Sequence, residues 1–302
     1  MESATLTAPA ATSRIFECDE TEFREQFNRR CFEFGHHLAG HPLFEVSRLI
    51  ELSRKLADSR DKLYYDAGDI KVNQRWDHSP HSPFSIDETI RRIQDAGAWV
   101  VLKKAERDPE YRVLLNDCMA EIQSLLRRDL SREMKVQEVI IFVTSPNRIT
   151  TYHIDRECNF LLQIRGDKNI SVFDQTDREV LPEEEIERFW TIDNNSASYK
   201  EQFQSRAKVI HLTPGRGIHI PVNAPHWVRN GKDISVSLSV NFQFHETYPA
   251  NVYRANFLLR KMGLSPKPPG TSAFRDAAKG LAMNGTYVPA KRMRDFVRKM
   301  VS

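Results

Sequence analysis

The stretch TYHIDRECNFLLQIRGDKNISVFD, residues 151–174, sets an imidazole and a carboxylate two positions apart, His153 and Asp155, with the amide of Asn159 and the ammonium of Lys168 following. On a strand, residues i and i+2 share a face, so both side chains can reach one ion in one cavity. A neutral imidazole beside a carboxylate suits Fe(II), Mn(II) or Zn(II). A bare His-x-Asp is a weak signal, and it reads equally well as two polar residues on an exposed strand. A third ligand decides between the two, and His211, His219, His226 and His245 compete for the place. His226 sits in HIPVNAPHWV, after a strand and a proline-marked bend that would return it to a barrel mouth. Two histidines and one carboxylate on one face of a metal leave three positions open, the arrangement of non-haem Fe(II) oxygenases.

Such chemistry needs a co-substrate that supplies electrons, commonly the dianion 2-oxoglutarate. Its distal carboxylate calls for a cation and a hydroxyl inside the barrel. Lys168, beyond the GD turn, can return an ammonium toward the same cavity, and Thr150 stands three residues before His153. Taken alone, Lys168 is an ordinary lysine beside a turn.

TTYHIDRECNFLLQIRGDK resembles the metal-binding strand pair of the Jumonji C family. Within it the stretch is most similar to the cupin-fold protein hydroxylases typified by the asparaginyl hydroxylase of hypoxia-inducible factor. Their pattern is threonine, two residues, His-x-Asp, then asparagine, then Gln-Ile-x-Gly-x-Lys. It is met at like spacing by Thr150, His153, Asp155, Asn159, Gln163-Ile164, Gly166 and Lys168. Ile220-Pro221, followed after four residues by His226, matches the distal motif, and Asn241 in SVNF stands where the family has an asparagine near the co-substrate. The resemblance covers about 139–244. It implies an Fe(II)- and 2-oxoglutarate-dependent oxygenase of α+β class, a double-stranded β-helix. Such an enzyme hydroxylates a C–H bond of a protein side chain or small molecule and releases succinate and CO2. Demethylation is a variant with the same first step. The metal ligands would be His153, Asp155 and His226. Lys168 and Thr150 would hold the 5-carboxylate of 2-oxoglutarate, with Asn159 and Asn241 lining the co-substrate end. Gln243 departs from the pattern, since the family has an aromatic residue there on the substrate side, so target choice does not carry over. The competing readings are a non-catalytic cupin-like metal-binding regulatory or binding module and a cupin isomerase without co-substrate. The co-substrate residues speak against both.

The elements that must position these residues change character near 135. Apolar residues at helical spacing predict helices over 22–40 and 41–59. A capping box, Ser85 and Glu88, opens a third helix, and YRVLLNDCMAEIQSLLRRDL gives an amphipathic fourth. Residues 1–15 read as a disordered leader and 16–134 as a mainly helical region packing on a barrel. From 135 to 247, short β-branched and aromatic runs with turn signals predict an antiparallel sandwich or barrel, with GDK, PGRG and RNGKD as hairpin-like turns. LPEEEIERFW is a helical insert with acids in its first turn. Residues 248–302 return to helix, including a last one over 290–301. Phe160, Leu162, Ile164, Phe173 and Trp227 offer apolar walls for the cavity.

At 302 residues, 28% charged and 40% hydrophobic with net charge +3, the composition is that of an ordinary globular protein and does not call for nucleic acid. The tail from Asn251 is locally basic, eleven Lys/Arg against two Asp/Glu, which reads as a solvated helix face. Cys18, Cys31, Cys118 and Cys158 form no CxxC pair, so a reducing cytoplasm fits best. No secretory signal and no membrane-spanning apolar run is present. His36, His37 and His41, and His78 with His81, read as local clusters without acids. Tyr152 reads as packing and Cys158 as a small buried residue, while Arg148 and Arg165 face either substrate or water. In the resembling hydroxylases, C-terminal helices form a homodimer, which is the expectation here.

Overall fold

Alternation at period two builds the centre of the molecule. The chain is described by a computed structural model over residues 14–57, 63–80, 82–244 and 248–285. On strand β12 (Ser235–Phe244), Val236, Leu238, Val240 and Phe242 join one apolar cluster, so Ser235, Ser237, Ser239 and Asn241 take the other face. Strand β7 (Cys158–Arg165) does the same, with Cys158, Phe160, Leu162 and Ile164 on the apolar side and Asn159 and Gln163 opposite. The two strands pair antiparallel, Asn159 against Asn241. They are the middle of an eight-stranded sheet ordered β1 (Phe16–Glu17), β2 (Phe32–His36), β10 (Arg216–Ile220), β7, β12, β5 (Met134–Thr144), β4 (Ala98–Leu102), β3 (Leu63–Ala67). A four-stranded sheet, β6 (Ile149–His153), β11 (His226–Asn230), β8 (Lys168–Val172) and β9 (Lys208–Leu212), closes the other side. Leu161, Ile170, Val172, Ile210, Ile218 and Val228 pack between the sheets. The α+β barrel expected from the sequence is thus the observed class.

The turns expected as hairpins do something else. β7 is already paired on both edges, by β10 and β12, so β8 has no edge of β7 to join. Gly166-Asp167 instead carries the chain across to the small sheet, where β8 pairs with β11 and β9. The PGRG and RNGKD turns likewise take β9 to β10 and β11 to β12 between sheets. Gly166 makes its crossing with φ 67°, and a Cβ there would lie 2.3 Å from the carbonyl oxygen of Ile234. Gly166→Ala is therefore expected to cost at least about 1–3 kcal/mol, read as a fall in thermal midpoint of several degrees.

The apolar outer face of the large sheet is covered by α1 (Glu20–Gln26), α2 (Val46–Leu56), α3 (Ile86–Arg91) and α4 (Pro109–Leu126). Side-chain caps fix three of their starts: Asp19 accepts from the amides of Thr21 and Glu22, Ser85 from Glu88, and Asp108 from Glu110. The region before 135 is less helical than its spacing predicts. The helix expected over 22–40 stops at Gln26, and Asn28 turns left-handed at φ 52°. FEFGH then runs as β2, because Phe32 and Phe34, two apart, both enter the core from a strand. β3 and β4 extend the sheet's far edge. Helix α5 (Glu183–Thr191) sits in the β8–β9 connection and packs on α6 (Tyr248–Lys261), which a helix over 273–285 follows. The helix expected over 290–301, His81 and His245 lie outside the described residues. No described helix is long and apolar enough to cross a membrane.

Candidate metal centre and co-substrate cavity

Strand β6 ends at His153, so Asp155 is carried by the loop after it rather than by the strand itself. The two still converge. His153 Nε2 lies 3.8 Å from Asp155 Oδ2, and His226 Nε2 lies 3.6 Å from the same oxygen. The imidazole centroids are 4.2 Å apart, because β11 pairs His226 directly with His153. One ligand atom from each of the three lies within 4.8 Å of the others. Both rings have their far nitrogen occupied. His153 Nδ1 donates to the carbonyl of Thr151 at 2.7 Å, and His226 Nδ1 to that of Ala224 at 2.9 Å. A carbonyl only accepts, so each Nδ1 carries the proton and each Nε2 turns its lone pair to the shared point. Burial, and then the facing His153, push the pKa of His226 down and keep it a neutral ligand. Donors held at about 2.1 Å from one metal sit roughly 3 Å apart when adjacent, so the triad fits an ion with side-chain shifts under about 1 Å.

A bulge sets the neighbour. Between His226 and Val228 the β6 register advances three residues, from His153 to Thr150. Thr150 and His153, three apart, therefore both line the cavity, where a regular strand would have parted them. Tyr152 is turned away and packs against Phe173 and Tyr199, as expected. The cavity, about 320 Å³, runs from the triad past Asn159, Ser239 and Asn241. Ser239 Oγ approaches both Asn159 Oδ1, at 2.9 Å, and Asn241 Oδ1, at 3.2 Å. The single Ser239 proton serves only one of these oxygens, and the amide so held presents its N–H donors to a ligand.

Lys168 stands one step deeper and does not line the cavity. It enters from the facing sheet, is 4% exposed, and donates to Ser237 Oγ at 2.6 Å. No carboxylate pairs with it among the described residues, and burial alone pushes its pKa down to about 7.

Two expectations need correction, and the competing histidine finds its place as the motif spacing indicated. None of the five expected apolar walls lines the cavity: with Asn159 and Gln163 inward, period two sends Phe160, Leu162 and Ile164 outward to the helices, and Phe173 and Trp227 pack in the cluster of Tyr152. His219 also faces outward, stacked on Phe27 at 5.4 Å, with its Nε2 accepting from the Asn28 amide and its Nδ1 donating to the Asn159 carbonyl. Arg148 meets no substrate: it is buried and paired with Asp66 at the end of β3. Arg165 is exposed and His211 stays at the surface beside Asn169.

The sequence reading missed the far wall. Tyr64, Trp76 and Trp99 form a run of edge-on rings, with centroids 6.2 and 5.5 Å apart, and Phe142 stacks on Trp99 at 6.0 Å. The β-branched run AWVVL was the available signal. Gln243, where the family pattern breaks, donates to Glu157 and fixes its carboxylate at the mouth. Arg156 stacks over Phe189 and Trp190 at the same rim.

Residues 51–248 match the sequence pattern of the cupin-like domain. The chain belongs to the cupin-like domain family. The barrel is similar to that in the X-ray structure of ycfD from Escherichia coli, at 14% identity and TM-score 0.53, covering 91% of this chain and 68% of that one. It is similar also to a crystal structure of the Escherichia coli ribosomal oxygenase YcfD, at 15% identity and TM-score 0.50, with the same coverage. At such identities the likeness establishes the cupin-like fold alone. No curated protein matches the chain. The finer likeness to the asparaginyl hydroxylase is carried by the motif residues only.

Proposed function

We propose that this cupin-like protein is an Fe(II)- and 2-oxoglutarate-dependent oxygenase that hydroxylates a C–H bond of a protein side chain or small molecule, with release of succinate and CO2. The observation that carries the reading is a pairing of two sites in one barrel. Three donors converge on one point, the two imidazoles with their protons turned away, and a buried ammonium with no carboxylate partner among the described residues lies deeper on the same interior. A metal binder without co-substrate has no use for the second. Bound together, the metal and the 2-oxo acid supply dioxygen activation and the oxidation of a C–H bond. His153, Asp155 and His226 would hold the metal on one face. Lys168, with Thr150, would neutralise the distal carboxylate, and Asn159 and Asn241 would donate to the oxygens nearer the metal. Ile140, Phe142 and Trp99 would keep water from the reacting end. The ribosomal oxygenase of like fold is in keeping with a protein target.

Anaerobic Fe(II) followed by 2-oxoglutarate is expected to give a weak visible charge-transfer band at about 500 nm, the mark of a bidentate 2-oxo acid on an open facial site. Metal uptake with no band would sink the oxygenase reading and leave a metal-binding module.

Two coarser points belong to the same reading. All four cysteines are free, which suits a reducing cytoplasm. Leu258 on α6, Met262 in the turn just after it, and Phe274 and Leu281 on the 273–285 helix are exposed, and a second copy of the chain is the occupant proposed for them. Phe274→Asp with Leu281→Asp should shift the sizing-column mass from dimer to monomer; an unchanged elution volume would remove that proposal.

A further inference from the structure

Around Lys168 lies a chain of buried polar groups that points one way. Gln163 Nε2 donates to the carbonyls of Arg165 at 2.7 Å and Gly166 at 3.0 Å, and it lies 3.0 Å from Ser235 Oγ. Those two carbonyls only accept, so the Gln163 amide cannot flip, and its Oε1 must face the other way as an acceptor. Ser237 Oγ donates to that oxygen at 2.7 Å. With its proton spent there, the Ser237 oxygen turns its lone pairs to Lys168 Nζ, 2.6 Å away. Gln163, Ser235 and Ser237 are fully buried, and Lys168 nearly so. The backbone is held as well: His36 takes the Leu38 amide on Nδ1, so its Nε2 carries the proton and donates to the Gln163 carbonyl at 3.0 Å. The same glutamine thus clamps the turn that delivers Lys168 to the small sheet and, through Ser237, the tip of the lysine's side chain.

We infer that Ser237 and Gln163 are positioning residues that hold the Lys168 ammonium for the distal carboxylate of a 2-oxo dicarboxylic acid. The inference rests on the oxygenase reading above and adds to it a pair of residues that touch neither metal nor co-substrate. Four steps of side chain give a lysine many rotamers, and a buried one without an anion has no charge partner to choose among them. Ser237 accepts one of the three N–H bonds and leaves two for a carboxylate. Ser237 lies one inward position below Ser239, about 7 Å along the strand, so the ammonium is tethered below the level where Asn159 and Asn241 meet.

The test compares two 2-oxo acids on the Fe(II) protein without oxygen, both followed by the charge-transfer band. 2-Oxoglutarate carries the distal carboxylate, whereas 2-oxobutyrate chelates the metal alike and lacks it. Ser237→Ala should weaken 2-oxoglutarate about tenfold, the worth of one hydrogen bond to a buried charge, and leave 2-oxobutyrate within about twofold of wild type. Ser237→Thr keeps the hydroxyl and should restore most of the loss. Gln163→Met, which removes both the acceptor and the turn clamp, should follow Ser237→Ala. Where Gln163→Met fails to fold, the alanine and threonine pair at 237 decides. Equal 2-oxoglutarate affinity in Ser237→Ala and wild type would overturn the inference, as would parallel loss of both acids, which marks general damage. No band with either acid in the wild type would sink the oxygenase reading and this inference with it. Binding of 2-oxobutyrate as tight as 2-oxoglutarate would spare the metal site and remove the distal subsite.

Discussion

Asp155→Ala is expected to abolish tight metal binding and, with it, all turnover. The carboxylate is the only charged donor of the triad. Its Oδ2 lies 3.6 and 3.8 Å from the two Nε2 atoms, and His153 and His226 are held against each other by direct strand pairing. Without Asp155 a divalent ion would meet two neutral rings, one of them buried. Loss of a mere outer partner of a metal ligand costs about 10–100-fold in affinity, so loss of the charged ligand itself should exceed that. His153→Ala should behave alike. The control is His219→Gln, since His219 sits on the opposite face of β10 among Phe27, Phe32 and Phe160. Mn(II) titration monitored by electron paramagnetic resonance separates the cases. Retention of wild-type Mn(II) affinity in Asp155→Ala, or its loss in His219→Gln with the fold intact, would show that the ligands were misassigned.

That contrast between His226 and His219 also shows what could be read from the sequence. The spacing from Ile220-Pro221 picked His226, and alternation along β10 explains why: Ile218 and Ile220 face inward, which leaves His219 to the outer cluster. The same rule, with Asn159 and Gln163 placed inward, sends Phe160, Leu162 and Ile164 outward, so their place was legible from alternation alone. The relation between Thr150 and His153 was not open to that rule, because a bulge adds a residue between them and the partner strand alone reveals it. The crossings escaped for another reason. Gly166-Asp167 has the composition of a hairpin turn, and only the occupied edges of β7 forbid one. The aromatic wall was hidden furthest, since Tyr64, Trp76 and Trp99 come from short elements before residue 135 whose place at the sheet edge depends on long-range pairing with β5. The motif was legible because its residues lie close in sequence, whereas the cavity's far side is assembled from segments up to about a hundred residues away.

The second large effect is at Lys168, and it has opposite signs for function and for stability. Lys168→Met should weaken 2-oxoglutarate by about 100-fold or more, because it leaves a carboxylate buried without its cation. The same change should stabilise the ligand-free protein, since an ammonium with one hydroxyl partner is replaced by an apolar chain of similar length. The pH dependence follows from burial. Lys168 titrates near pH 7 in the folded chain, against an ordinary 10.5. Between those values the unfolded chain holds a proton at this lysine that the folded one lacks, so the contribution of Lys168 to ligand-free stability rises with pH across pH 7 to 10.5. Below pH 7 both states are protonated and this group adds no slope. A bound carboxylate favours the ammonium, so above pH 7 binding must take up a proton, and 2-oxoglutarate affinity should fall by up to about tenfold per pH unit. In Lys168→Met both contributions should vanish. Calorimetry in two buffers of different ionisation enthalpy measures the proton directly at pH 8. Uptake near zero in the wild type, or uptake unchanged in Lys168→Met, would mean that the buried ammonium is not the group that meets the ligand's far end.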